Sequence, residues 1–504
     1  MFLRSVRRFP VKVFAIFMLF PMSPGHSKSS DHVGPAVESE VVTTRHTIEV
    51  NNTPMAYTAR AGFIPLLDEA TGEVQAKIFF VSYTVEPRRG MPARPLTFYT
   101  NGGPGEPATL DDLGPRSLKN VKLEWQLPPP PYAMVDNRQT WLPMTDLVLI
   151  DPVGTGYSRA TRPEYAPQFY NRDGDAESVA QFIQLYLQRY GSSKRQPIFV
   201  AGTSYGSIRS ALIADIANRR AIALRGLILA SSPLANQPRQ SPHNPRPGAP
   251  PFELSDLSYV QLLPTFAATA FFHRKLSPDL QRTFDKTLEQ AEAWAANQYP
   301  RVLEQADVLS REQLQAAAAE MARLTGLSPE VILEHQFRLL PDAFLRELLG
   351  TKWTPWGLRD SRILDGDPPP RGGDPNWAPV LASVYLGGEL QFRSEIPYVT
   401  YGLVALAEWH CGGNNDCTAT PEAFGRLQRA MRANPSLRVM ITNGYYDLGC
   451  PYFGTKLAIS QMEPDLRMRV TVTDYQSGHF VPPDDRAAVS RFLQSASATS
   501  GKKP

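Results

Sequence analysis

A chain of 504 residues exceeds what one ordinary hydrophobic core supports, which predicts a large catalytic unit carrying a second, inserted one. Its formal charge is only +3, and no block of basic residues lies near stacked aromatics. A nucleic-acid-binding surface is therefore excluded, and small molecules or peptides are the expected partners.

The N-terminus places Arg4, Arg7, Arg8 and Lys12 ahead of an apolar run from Val13 to Met22, followed by small and helix-breaking residues. This is the pattern of a secretory signal peptide over residues 1–27. The run is about half the roughly 20 apolar residues that a membrane-spanning helix needs. Export to a periplasmic or extracellular compartment is expected, with no stable membrane anchor once the signal is cleaved.

From Arg45 to about Val85 the runs HTIEV, MAYTAR and VQAKIFFVSYTV alternate or are rich in β-formers, with turn signals at Asn51-Asn52 and Thr71-Gly72. They read as entry strands. Short apolar runs then alternate with helical patterns: PLTFYT from Pro95, LVLI from Leu147, PIFVA from Pro197 and LILA from Leu227. Such runs predict a mostly parallel sheet covered on both faces. Between the second and third of them, Val179, Phe182, Ile183, Tyr186 and Leu187 recur at helical spacing, and Gly191 closes the pattern.

A proline-rich run begins at Ser231, and beyond it the periodicity becomes helical. A stripe of Leu280, Phe284, Leu288, Ala291 and Trp294 follows Ser277-Pro278, which reads as its N-cap and first turn. Ser310 with Gln313 has capping-box spacing, and Ser328-Pro329 opens a third helix. A second breaker-rich run, Asp365 to Pro379, precedes a return of β-type runs in LRVMIT and MRVTVT. The expected organisation is a first core segment over 45–232, a helical cap inserted over 252–365, and a second core segment over 380–496.

Three cysteines occur, Cys411, Cys417 and Cys450. In an oxidising compartment the first two are placed to close a short loop, leaving Cys450 unpaired. No His/Cys grouping has zinc-ligand spacing, so no metal is expected.

Strand PIFVA runs directly into Gly202-Thr203-Ser204-Tyr205-Gly206, and Ile208, Leu212, Ile213 and Ile216 follow at helical spacing. This is G-x-S-x-G in its strand-turn-helix setting, a nucleophile elbow with Ser204 at its tip. A serine hydroxyl needs a base, and the base needs an acid to hold its tautomer. Of His243, His273, His335, His410 and His479, only His479 follows a late β-run. Asp447 follows LRVMIT at the same sheet edge, and Asp474 competes with it. Asp447 is preferred because acid and base come from different strand ends in the hydrolase plan. An oxyanion hole needs a second backbone N–H beside that of Tyr205; the glycine-rich turn after PLTFYT supplies a candidate in Gly103, although an ordinary turn has the same composition.

Five motifs together resemble the serine carboxypeptidase family. They are Asn101-Gly102-Gly103-Pro104-Gly105, the run from Asp151 to Ser158, the elbow, Asn443-Gly444 with Asp447 and Cys450, and the run from Gly478 to Pro482. The resemblance implies an α/β-hydrolase fold. It also implies removal of C-terminal residues from peptides through an acyl-enzyme, no cofactor, and often an acidic pH preference. Its triad is Ser204, Asp447 and His479, and its oxyanion donors are the N–H groups of Gly103 and Tyr205. Asn101 and Asp112 match residues that bind the substrate carboxylate, Asp112 as a shorter acid, and Cys450 matches a cysteine near the pocket. The family usually has glutamate before the serine, where this chain has Thr203. An esterase or acyltransferase on the same scaffold is one rival reading. A proline-specific aminopeptidase is disfavoured by Asn101 and the Asp151–Ser158 run. A catalytically inactive binding protein is disfavoured by the retention of all three triad residue types.

Overall fold

The computed structural model describes residues 41–86, 90, 92–109, 118–121, 134–191, 195–234, 256–367, 382–409, 420–480 and 485–498. The expected signal peptide, Asp112, Cys411, Cys417, His243 and His410 lie outside them.

The strands are β1 (Val42–Val50), β2 (Thr53–Leu67), β3 (Val74–Val85), β4 (Leu96–Thr100), β5 (Lys119–Val121), β6 (Met134–Asp136), β7 (Asp146–Ile150), β8 (Arg159–Ala160), β9 (Ile198–Thr203), β10 (Leu224–Ala230), β11 (Arg438–Gly444) and β12 (Val470–Tyr475). Among the described residues the main sheet runs in the order β1-β2-β3-β7-β4-β9-β10-β11-β12, with β8 beside β3, while β5 and β6 form a separate ribbon. The first three strands are antiparallel, and β3 also pairs antiparallel with β7. From β7 to β12 every pairing is parallel.

This division follows from the side chains. In β1 exposed and less exposed residues alternate, as expected of a strand with one wet face. Every residue of β4, β7 and β9 is buried, because helices cover both faces of the parallel part. One apolar cluster joins the sheet to helices α1 (Arg172–Tyr190) and α2 (Tyr205–Ala217), and a second lies on the opposite face against the C-terminal helix Arg486–Ser497. Helix α1 begins at Asn171, whose side chain accepts from the Gly174 N–H at 2.9 Å, and ends at Gly191. The order of strands and their connections is that of an α/β hydrolase, with the loops that follow β4, β9, β11 and β12 gathered at one sheet edge.

Between β10 and β11 the described residues 256–367 contain α3 (Asp256–Phe272), α4 (Phe284–Asn297), α5 (Tyr299–Gln305), α6 (Arg311–Thr325), α7 (Pro329–Glu334) and α8 (Pro341–Leu349). The Ser310–Gln313 capping box forms in both directions, and Ser328 caps α7. The stripe at Leu280 differs from expectation. A short 3₁₀ turn occupies Leu280–Arg282, and α4 starts only at Phe284 behind Thr283. Ser277 instead donates to the Asp279 carboxylate at 2.5 Å, so its hydroxyl is not available as a cap.

Helix α3 escapes a periodicity reading because it is buried almost all round, from Ser258 to Ala270. It is the hub of a third apolar cluster, where Phe266 stacks on Phe344 with centroids 4.0 Å apart. That cluster also takes in Tyr446, Leu448, Tyr452 and Phe453 from beyond β11. Phe266→Ala should therefore lower unfolding free energy by about 3–5 kcal/mol, the cost of a large core truncation, as read from the urea midpoint at unchanged m-value.

Candidate active site

Ser204 sits where β9 meets α2, with φ 55° and ψ −127°. A side-chain-bearing residue is strained there, and its surroundings hold it in place. Its N–H donates to Ala230 O at 2.9 Å, and its carbonyl accepts from the Ser207 hydroxyl at 2.6 Å. Gly202 and Gly206 are required by contact rather than by their own dihedral angles. A methyl on Gly202 would lie 2.0 Å from Gly206 O, and one on Gly206 would lie 2.6 Å from Asn101 O and 2.7 Å from Thr100 O. Elbow and glycine-rich turn thus meet backbone to backbone.

Asp447 and His479 follow neighbouring parallel strands. Asp447 lies three residues beyond β11, fully buried, and His479 four residues beyond β12, also buried. His479 Nδ1 donates to Asp447 Oδ2 at 2.7 Å. The other carboxylate oxygen accepts the N–H groups of Gly449 and Cys450 at 2.9 and 3.0 Å. With Nδ1 holding the proton, Nε2 is left as the basic nitrogen. Burial disfavours the imidazolium, but the Asp447 charge and hydrogen bond, with Cys450 adding to them, hold the His479 pKa well above its ordinary value. The competing acid is committed elsewhere: Asp474 accepts from Asn443 Nδ2 at 2.9 Å and faces Lys456 at 3.8 Å.

The link from base to elbow runs through β10. Ser231, the residue after that strand, donates its hydroxyl to His479 O at 2.5 Å. Its neighbour Ala230 accepts the Ser204 N–H. Ser204 and His479 are thereby tied to adjacent residues of one strand end.

Cys450 is buried. Its sulfur and the nearest ligand atoms of Asp447 and His479 lie within 4.8 Å of one another. These three side chains offer a donor set for a thiophilic cation, but such an ion would have to displace the 2.7 Å hydrogen bond. The arrangement serves a hydrogen-bonded acid and base.

On the opposite side, Gly103 has φ 98° and is exposed, while Gly102 beside it is buried. Tyr205, as the first residue of α2, has an N–H without an intrahelical acceptor. Asn101 is held through its backbone: its carbonyl accepts from Arg209 Nη1 at 2.8 Å. Thr203 is buried, and the Tyr99 hydroxyl donates to its Oγ1 at 3.0 Å and lies 3.4 Å from Asn101 Oδ1.

Several supporting residues have no obvious mark in the sequence. Arg209 on α2 is only 1% exposed; its Nε donates to Asp175 Oδ2 at 2.7 Å, and the Tyr205 hydroxyl donates to the same oxygen at 3.1 Å. An arginine among the apolar positions of a buried helix is the one available signal. Asp151 explains the run that bears it. Its carboxylate accepts the N–H groups of Ala108 and Thr109 at 2.8 and 2.9 Å and the Thr109 hydroxyl at 2.8 Å. Burial pushes its pKa up to about 6 against the pull of these hydrogen bonds. Both acids thus lie beneath the glycine-rich turn and brace it from below.

Residues 50–319 match the sequence profile of the serine carboxypeptidases. The chain belongs to the serine carboxypeptidase family. The matched segment includes the glycine-rich turn, Asp151 and the elbow, and it ends before Asp447 and His479. Among relatives of this family, a serine-type carboxypeptidase F of Aspergillus niger is 31% identical over 146 residues, which is 29% of this chain and 24% of the relative. A serine carboxypeptidase-like 4 of Arabidopsis thaliana is 27% identical over 190 residues, 35% of this chain and 40% of the relative. The chain therefore spans between about a quarter and two fifths of the length of these relatives. Among solved structures, a peroxisomal alpha-beta-hydrolase from Saccharomyces cerevisiae overlays with a TM-score of 0.38 at 11% identity, covering 93% of this chain and 92% of that one. A lipase in its open form gives 0.35 at 16% identity, with 87% and 99% covered.

Two consequences can be measured. Asp447 favours the charged imidazole, so Asp447→Asn should lower the His479 pKa and move the acidic limb of kcat/KM to lower pH, while kcat falls by roughly 10⁴-fold through the wrong tautomer. A pH–rate profile of both proteins checks the shift and its sign. Arg209→Met leaves the Asp175 carboxylate buried without its cation, a loss of about 3–5 kcal/mol that a urea titration should reveal.

Proposed function

We propose that the protein is an exported serine-type carboxypeptidase that releases C-terminal residues from peptides through an acyl-enzyme. The single observation that carries the reading is the buried His479–Asp447 hydrogen bond of 2.7 Å, at the sheet edge that bears Ser204 in an elbow of the family that the chain belongs to. In this reading Ser204 Oγ attacks the carbonyl carbon of the last peptide bond and His479 Nε2 takes its proton. The oxyanion forms against the N–H groups of Gly103 and Tyr205. The C–N bond then breaks as His479 returns the proton to the leaving amine. Water, deprotonated by the same nitrogen, releases the acyl group and restores the serine.

Asn101 and Asp112 are the proposed contacts to the substrate carboxylate, and Cys450 lines the pocket near the base. The helical segment between β10 and β11 acts as a cap over the cleft, within the partition 45–232, 252–365 and 380–496. No helix among the described residues is long and apolar enough to cross a membrane. Residues 1–27 serve as the export signal, and the mature protein works in the periplasm or outside the cell.

One observation favours a second reading. Thr203 replaces the usual glutamate and its hydroxyl is engaged by Tyr99, which suits an esterase or acyltransferase that does not demand a free C-terminus. A fluorophosphonate should label the wild-type protein at Ser204, and Ser204→Ala should lose both the label and all acyl transfer while unfolding cooperatively. Mass spectrometry of blocked peptides should then give a C-terminal ladder. Ester turnover without such a ladder would select the second reading.

A further inference from the structure

The glycine-rich turn is followed directly by a shielded acid. Glu106 follows Gly105, and its side chain is only 14% exposed. A methyl built on Gly102 would lie 3.3 Å from Glu106 Oε2 and 2.8 Å from Ser204 Cβ, so the carboxylate flanks the same point as the nucleophile's side chain. Facing it is Arg359, just beyond the 3₁₀ turn Pro355–Leu358, with Nη2 3.7 Å from Glu106 Oε1. That separation is an ion pair but too long for a hydrogen bond.

Arg359 is tied to the base as well as to the acid. Its carbonyl accepts the His479 N–H at 2.6 Å, so its position relative to the catalytic loop is fixed by backbone. The neighbouring Asp360 does not compete for it, because that carboxylate is held by Arg362 at 2.6 and 2.8 Å. The Arg359 side chain is 43% exposed and makes only the one long ionic contact to a described residue. A guanidinium in this state retains a planar fork of donors suited to a carboxylate.

We propose that Arg359 binds the α-carboxylate of the peptide's C-terminal residue, and that Glu106 is the counter-ion which that carboxylate displaces. The proposal rests on the carboxypeptidase reading and adds to it a specificity-determining cation supplied by the cap-side segment. It accounts for how a chain with Thr203 in place of glutamate selects a free C-terminus. An arginine recognises a carboxylate by charge and geometry without needing a shared proton. Glu106 competes with the incoming carboxylate for Arg359, so the two side chains have opposite effects on affinity.

The test compares a blocked dipeptide with a free C-terminus, its C-terminal amide and the matching ester, each assayed on the full-length wild type, Arg359→Gln and Glu106→Gln. Arg359→Gln should reduce the acid-over-amide ratio of kcat/KM by roughly tenfold to a hundredfold, the worth of a charge-assisted hydrogen bond, with the change carried by KM for the acid. Glu106→Gln should lower KM for the acid several-fold, a direction opposite to that expected from mere loss of packing. If wild type prefers the acid but Arg359→Gln depresses acid and amide alike, Arg359 is not the carboxylate site, although the carboxypeptidase reading stands. If wild type turns over the ester and neither peptide, that reading itself fails, and the assignment of Arg359 falls with it.

Discussion

The constraint on which the rest of the structure depends is the close approach of two backbones. Gly202, Gly206 and the carbonyls of Thr100 and Asn101 meet without room for a methyl group, so the turn after β4 and the elbow after β9 fit as one unit. Because β4 and β9 are also hydrogen-bonded neighbours, the separation of the two turns is inherited from the parallel sheet. The strained dihedral angles of Ser204 are tolerable only in such surroundings, where releasing them would disturb packing on both sides.

Charge buried under this unit has a structural task, in contrast to charge above it. Asp151 and the Asp175–Arg209 pair point inward, and between them they hold three backbone groups of the turn, at Asn101, Ala108 and Thr109. Desolvation raises the pKa of both acids, and donor groups around each carboxylate offset that tendency. Isolated surface pairs contribute little, whereas these buried groups fix the backbone of the turn at three points.

Much of this was readable from residue order because it depends on local rules. Short, mostly apolar runs of four to six residues mark parallel strands, G-x-S-x-G between strand and helix marks an elbow, and Ser310 with Gln313 marks a helix start. Other features depend on tertiary context and leave no such mark in residue order. Helix α3 lacks a polar face because it is enclosed by other helices, so its periodicity vanishes. The expected start of α4 at Ser277 failed because Asp279 competes for the serine hydroxyl. Arg209, Asp175, Glu106 and Arg359 come from four separate stretches of chain, and no spacing rule brings them to the site. Asp447 was preferred over Asp474 as the partner of His479 because the two come from different strand ends; Asp447 is the carboxylate hydrogen-bonded to the imidazole, while Asp474 is occupied by Asn443 and Lys456.

The helical segment is joined to the loops that bear Asp447 and His479 at three points. Arg359 O takes the His479 N–H, the Ser361 N–H donates to Tyr446 O, and Tyr446 and Leu448, on either side of Asp447, are enclosed in the helical segment's own apolar cluster. Two residues, Arg359 and Ser361, therefore stitch the loop that bears Asp447 to the loop that bears His479 using main-chain atoms, which no side-chain substitution can alter directly. The helical segment is consequently not an interchangeable lid. Transplanting a different one onto this sheet would remove part of the scaffold that aligns Asp447 with His479, so the two are more readily kept in register by side-chain replacement within the existing helices than by recombination of whole modules.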